Sequence, residues 1–209
     1  MSLLPTAADW REEVTGVVLA GGRATRMGGV DKGLVPVNGR PMITWVIDVL
    51  RPQVADLLVN ANRNLDEYRA FGYPVIDDGD DEFRGPLAGI ASGLRAATSR
   101  YVAFAPCDSP LVCNDLVARL GAALTRDKVR IAVAHDGERL QPVFALLERS
   151  LLDDLMRYLD NGGRKIDRWY AEHGYAQADF SDVAESFANI NAPDEKRALE
   201  QKLGREVDR

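Results

Sequence analysis

A chain of 209 residues, 46% hydrophobic and 28% charged, has the material for a folded core and gives no case for disorder. Its formal net charge of −6 argues against a nucleic-acid partner, because phosphate contacts demand a basic surface. Cys107 and Cys113 lack the Cys-x-x-Cys spacing of redox or zinc sites and read as free thiols in a reducing compartment.

Residues 1–13 have neither a basic start nor a long apolar core, so they read as a flexible leader and not as a signal peptide. No apolar run reaches bilayer-spanning length, and a cytoplasmic protein without a membrane partner is expected. Val14 to Ala20 is short, apolar and rich in β-branched residues, which suits a strand buried on both faces of a parallel sheet. It ends in Gly21-Gly22, and Gly28-Gly29 follow. Arg23, Arg26 and Lys32 are threaded along this stretch, with Asp31 its only acid. Bare amides and clustered cations, set against the global negative charge, suit a polyphosphate and point to a nucleoside triphosphate site. The stretch is neither Gly-x-x-x-x-Gly-Lys-Ser/Thr nor a Gly-x-Gly-x-x-Gly directly after the strand. Taken alone, it also fits an ordinary strand-to-helix turn with solvated arginines.

Gly39-Arg40-Pro41 marks a turn. Met42 to Val54 then repeats apolar residues at helical spacing, closed by Pro52. Asp56 to Asn60 reads as the second strand, and Asn60-Ala-Asn62-Arg63 lies at its carboxyl end, where ligands of open α/β sheets gather. For Asn62 and Arg63 a surface turn fits equally well. Tyr73 to Ile76 predicts a third strand, followed by an acidic loop from Asp77 to Glu82. One carboxylate near that strand end is suited to accept hydrogen bonds from a guanine or ribose. Pro86 suits the first position of a helix, and Gly85, Gly89 and Gly93 fall on one stripe of it. Such a bare stripe approaches either the sheet or a nucleoside base.

Tyr101 to Pro106 predicts the fourth strand and delivers Asp108. A carboxylate there, facing a triphosphate loop, suits a hard cation bridging phosphate oxygens. The alternative, a cap for a helix from Asn114 to Thr125, is weaker because Asn114 and Asp115 are better placed for that task. Val129 to Ala134 and Leu140 to Leu147 predict a hairpin across Asp136-Gly137, with Pro142 at an edge or bulge. Gln141 sits at its mouth as a candidate contact for a second substrate. His135 and His173 read as surface residues, since no nucleophilic Ser/His/Asp pattern gathers around them.

Arg149 to Leu159 is an amphipathic helix ended by Asn161-Gly162-Gly163. Arg164, Lys165 and Arg168 open another, as a solvated face or as part of a pocket for an anionic second substrate. Strands are expected at Tyr175–Phe180 and Phe187–Asn191, then a closing helix over 193–203 and a frayed tail over 204–209. The whole predicts one α/β domain over 14–203: three α/β/α layers with a mainly parallel sheet and a small β-hairpin excursion.

Leu19-Ala20-Gly21-Gly22-x-x-x-Arg26-Met27-Gly28-x-x-x-Lys32 resembles the signature loop of nucleotidyltransferases with a Rossmann-like fold. Its fuller form, through Gly33-Leu34, resembles the molybdenum cofactor guanylyltransferases of the MobA type. The likeness runs from about residue 14 to about residue 195, through Val59-Asn60-Ala61-Asn62, Gly85-Pro86-Leu87-Ala88-Gly89, Pro106-Cys107-Asp108-x-Pro110 and Asn189-x-Asn191. Ala192 stands where that last block usually has Thr. The resemblance implies transfer of GMP from GTP to the terminal phosphate of the molybdenum–pterin cofactor, with Mg²⁺ held on Asp108. It implies a nucleotide site of Leu19, Ala20, Gly21, Gly22, Lys32, Asn60, Asp78, Gly85 and Asp108, with Arg26, Lys32 and Asp108 catalytic. Asn189 and Asn191 would face the cleft on the acceptor side, with Gln141. Transient contact with cofactor-synthesis proteins or recipient molybdoenzymes is a further expectation. A CTP-dependent enzyme, one acting on a sugar or alditol phosphate, and a GTP-binding adaptor without turnover are the rivals.

Overall fold

The computed structural model describes residues 10–21, 31–79, 85–190 and 193–207. Three apolar runs, β1 (Val14–Leu19), β4 (Asp56–Asn60) and β6 (Tyr101–Pro106), lie parallel and adjacent, with β1 in the middle. β5 (Val75–Ile76) continues the parallel order beyond β4. On the other side β8 (Leu140–Glu148) runs antiparallel to β6, followed by β7 (Ile131–His135) and β9 (Ala176–Asp179). The seven-stranded sheet therefore has the order β5-β4-β1-β6-β8-β7-β9.

Helices cover both faces because the central strands are apolar on both. Val14 and Val18 of β1, Tyr101 and Ala103 of β6, and Ala132 of β7 point into one core. It is closed by α2 (Met42–Leu50), α3 (Leu65–Arg69) and α5 (Leu116–Asp127). The residues between them, Val17, Val102, Phe104 and Val133, point into a second core. That one is closed by α4 (Pro86–Ala96), α6 (Leu152–Asp160) and α7 (Ile166–His173). The α/β/α layering expected from the strand pattern is present.

Several local expectations are corrected. Residues 10–13, expected within the leader, form a helical turn, α1 (Trp10–Glu13), whose Trp10 is buried. Its indole lies edge-on to Tyr101 and fills the space left by Gly121 on α5. The hairpin of residues 129–147 is present, but it is woven into the main sheet through β8 rather than standing apart. Pro142, expected at an edge or a bulge, falls in the irregularity where the β7–β8 register shifts after Val133. The turn at Gly39 belongs to a two-stranded ribbon, β2 (Pro36–Val37) and β3 (Arg40–Pro41). The closing helix, α8 (Pro193–Val207), extends past Gly204. It packs Leu199 into a small cluster with Val37, Met42 and Ile190. Phe187–Asn191 was expected as a strand. Instead a 3₁₀ segment, Ser181–Phe187, runs into an irregular stretch, because Phe187 turns into the core against Phe144 and Phe180.

Candidate active site

Register fixes what meets at the carboxyl edge of the sheet. Leu19 lies opposite both Asn60 and Pro106, and Asn60 lies opposite Ile76. The segments leaving β1, β4, β5 and β6 therefore emerge side by side, where open α/β sheets bind ligands. The ladder persists for one more residue, with Ala20 N donating to Asn60 O at 2.7 Å and Cys107 N to Leu19 O at 3.0 Å.

Two opposite charges meet across this edge. Lys32 opens a 3₁₀ turn, Lys32–Leu34, and its Nζ stands 2.9 Å from Asp108 Oδ2, directly after β6. Both side chains keep some exposure, 27% and 16%, so a ligand can reach the pair. The turn is pressed against the sheet: a Cβ on Gly33 would lie 2.5 Å from Tyr68 Oη and 3.3 Å from Cys107 Sγ. Burial, reinforced by the Asp108 charge, pushes the Cys107 thiol up, which makes it a packing residue and not a nucleophile. Asp108 does not cap α5. Asp115 occupies that cap position, and its carboxylate binds Arg119 Nε at 2.6 Å.

The irregular stretch after Phe187 joins this corner. Ile190 N donates to the Asp108 carbonyl at 2.9 Å, and Ser109 Oγ donates to Asn189 Oδ1 at 2.5 Å. Asn189 is thus tied beside Asp108. Leaving the sheet ladder frees the backbone of Ile190 to make that contact.

A second group forms at β4 and β5. The Asp78 carboxylate accepts Asn60 Nδ2 at 2.7 Å on one oxygen and Asn62 Nδ2 at 2.6 Å on the other. Asn62 also accepts the Asp78 backbone N–H at 2.9 Å, closing a two-bond ring. Asn62 is thereby more than a surface turn, a role visible only once β4 and β5 are aligned. Glycines make room for these amides. A Cβ on Gly21 would lie 2.9 Å from Asn62 Nδ2, and one on Gly89 would lie 2.6 Å from Asn60 Oδ1. Gly93 packs on Phe104, so α4 approaches the sheet along its glycine stripe. Gly85 differs, holding a φ of 115° at the start of the helix, a conformation that favours glycine.

Other expected residues fall elsewhere. Gln141 Nε2 donates to Asp136 Oδ2 at 2.6 Å, which engages it within its own hairpin turn. Burial would raise the Asp136 pKa, but the N–H groups of Arg139 and Glu138 and the Gln141 amide outweigh it and hold the carboxyl low. Arg164 caps the end of α6 through Leu159 O at 2.8 Å, and Arg168 pairs with Glu172 at 3.0 Å, so both have structural partners. His135 accepts from Gly137 N, and His173 Nδ1 contacts Trp169 O. Gly22, Arg23, Arg26, Met27, Gly28, Gly29, Asp80, Asp81, Glu82 and Asn191 lie outside the described residues.

Among the described residues no group of three or more His, Cys, Asp or Glu could hold a metal by itself. Asp108 offers one hard oxygen donor set. That suits a cation such as Mg²⁺, which is held by one or two carboxylates together with substrate phosphates. Among the same residues, no helix is long and apolar enough to cross a membrane.

A family model described as MobA-like NTP transferase domain matches residues 16–176. A protein of Shewanella pealeana named molybdenum cofactor guanylyltransferase is 47% identical over 194 residues, spanning 93% of this chain and 97% of its own. The crystal structure of molybdopterin-guanine dinucleotide biosynthesis protein A from Archaeoglobus fulgidus superposes with a TM-score of 0.76 at 23% identity. That alignment covers 91% of this chain and 99% of the other. A Mycobacterium tuberculosis structure, Rv0371c in complex with manganese, has a TM-score of 0.63 at 18% identity and covers 90% of this chain and 98% of its own. The model spans most of the chain and the Shewanella relative nearly all of it, so the chain belongs to the MobA-like NTP transferase family.

Proposed function

We propose that this protein transfers GMP from GTP to the terminal phosphate of the molybdenum–pterin cofactor, releasing pyrophosphate. The observation that carries this reading is the Lys32–Asp108 pair, 2.9 Å apart at the strand edge where the glycine loop departs. Family membership and the name of the Shewanella relative supply the substrates.

The chemistry asked of the side chains is modest. An oxygen of the acceptor phosphate attacks the α-phosphorus of GTP, and the bond to the β,γ-diphosphate breaks. The attacking oxygen is already anionic, so no general base is required, in keeping with the structural contacts made by His135 and His173. Lys32 and Arg26 neutralise the triphosphate, and Lys32 offsets charge that develops on the leaving pyrophosphate. Asp108 is the residue that would hold Mg²⁺, and the ion would supply Lewis-acid chemistry to the phosphate oxygens. Leu19, Ala20, Gly21 and Gly22 line the nucleotide. The Ala20 amide is already given to Asn60 O, so contact from that residue falls to its carbonyl. Asp78, braced by Asn60, accepts from the base or ribose, and Gly85 lets the chain pass close to it. Asn189 and Asn191 serve the acceptor side, with Gln141 at its margin. The enzyme works in the cytoplasm and touches cofactor-synthesis proteins or recipient molybdoenzymes only transiently.

Pyrophosphate release with the molybdenum–pterin acceptor, measured for GTP, CTP, ATP and UTP, tests this. GTP should support turnover that stops on chelation of divalent cations. Preference for CTP would reassign the nucleotide, and binding without release would indicate an adaptor.

A further inference from the structure

Asp31 is the one acid in the cationic glycine stretch, and its position is unusual for a loop carboxylate. It is 7% exposed, although it immediately precedes the partly exposed Lys32. Its side chain reaches the entry of α3. There Oδ1 accepts the Tyr68 hydroxyl at 2.6 Å, and Oδ2 accepts Asn64 Nδ2 at 3.0 Å and lies 3.3 Å from Arg63 Nε. Three side chains of one short segment, residues 63, 64 and 68, thus converge on a single carboxylate. The backbone joins in, since Leu34 N donates to the Asp31 carbonyl at 3.1 Å, the bond that starts the turn carrying Lys32.

Each donor is itself constrained. Tyr68 is fully buried, and its hydroxyl is pressed beneath Gly33, where a Cβ would stand 2.5 Å away. Burial pushes that hydroxyl far up, so it stays protonated and donates. Asn64 holds a positive φ of 50°, which Asn tolerates better than most residues, and so aims its amide back at Asp31. Hydrogen bonds to a charged acceptor in a water-poor site are the stronger class, and here they converge from one side.

We propose that Asp31 is a positioning residue: clamped by Arg63, Asn64 and Tyr68, it locks the Lys32–Leu34 turn so that the Lys32 ammonium is already aimed at the Asp108 edge before the nucleotide arrives. This rests on the reading of Lys32 as the phosphate-binding cation. Lys32 carries a long flexible chain, and without a fixed root its ammonium samples many positions. Preorganisation removes that loss from the bound state.

The test is a double-mutant cycle on the full-length protein, combining Asp31→Asn and, separately, Tyr68→Phe with Lys32→Ala. Circular dichroism and thermal melting select folded variants. If Asp31 acts through Lys32, Asp31→Asn lowers kcat/KM about tenfold when Lys32 is present and less than about twofold when Lys32 is already Ala. Tyr68→Phe, which keeps the ring and removes only the donor, follows the same pattern with a smaller loss. Equal fold-losses in both backgrounds would overturn the proposal, because a merely structural role is indifferent to Lys32. Should Asp31→Asn not fold, Tyr68→Phe alone decides by the same comparison. Normal turnover of the Lys32→Ala single variant would instead overturn the reading of Lys32, a distinguishable failure.

Discussion

Gly89→Ala separates packing against the site from local helix preference, because the two predict opposite signs. Gly89 lies within α4, where Ala is favoured over Gly by about 1 kcal/mol on propensity alone. The added Cβ, however, would stand 2.6 Å from Asn60 Oδ1 and 2.8 Å from Leu19 Cδ2. Forcing a methyl into a close-packed contact of this kind costs about 1–3 kcal/mol. Asn60 is 1% exposed and can yield only by loosening its 2.7 Å bond to the Asp78 carboxylate. A bond to a charged acceptor contributes about 1.5–3 kcal/mol. After the propensity gain is subtracted, a net destabilisation of about 1.5–5 kcal/mol follows. For a chain of this size each kcal/mol lowers Tm by about 2–4 °C. Urea unfolding gives the stability change, and GTP titration calorimetry in magnesium gives the second consequence, a loss of affinity of about tenfold from a displaced Asp78, the factor set by about 1.4 kcal/mol. A variant as stable as the parent, with unchanged GTP affinity, would refute the claim that Gly89 makes room for Asn60.

Trp10→Ala should destabilise the protein by about 3–5 kcal/mol in denaturant unfolding, since a buried indole leaves a cavity against Tyr101 and Gly121; an unchanged midpoint would return residues 10–13 to a loose leader. Burial, then a hydrogen bond with Asp115, pushes the Cys113 thiol up to about 11. Its thiolate fraction at pH 8 is then only about one in a thousand, and iodoacetamide labelling of the folded protein should rise about tenfold per pH unit from 8 to 10. Cys107, wholly buried, should label only on unfolding; fast labelling of both thiols at pH 8 in the native protein would contradict this.

What could be read from the residues follows the range over which the determining forces act. β6 begins and ends where its apolar run does, and β4 extends one residue beyond each end of Leu57–Val59, because a strand buried on both faces shows itself as a continuous hydrophobic stretch. α4 begins at Pro86 for an equally local reason, the fixed φ of proline after a glycine with positive φ. Where a partner is distant the signal fails. Trp10 is held by residues of β6 and α5, so nothing in its neighbours marks the turn as docked. Phe187 to Asn191 is a short stretch bearing Phe and Ile, which favour strands, but tertiary packing takes Phe187 into the core and the backbone of Ile190 to the Asp108 carbonyl. α3 has five residues and a single buried one, Tyr68, too short to show a period. Missing that helix also hid the clamp on Asp31, whose side-chain partners lie 33 and 37 positions along the chain. Within the candidate site, the Lys32 and Asp108 motifs stand out locally. The bracing of Asp78 by Asn62 depends instead on the β4–β5 register.

The most direct measurement is single-turnover formation of the guanine dinucleotide product by Lys32→Ala and Asp108→Ala, each with saturating GTP, magnesium and the molybdenum–pterin acceptor. Loss of one preorganised charge contact predicts a fall of about a hundredfold or more for each folded variant. Near-parental rates for both would contradict a phosphate-transfer centre built on this pair.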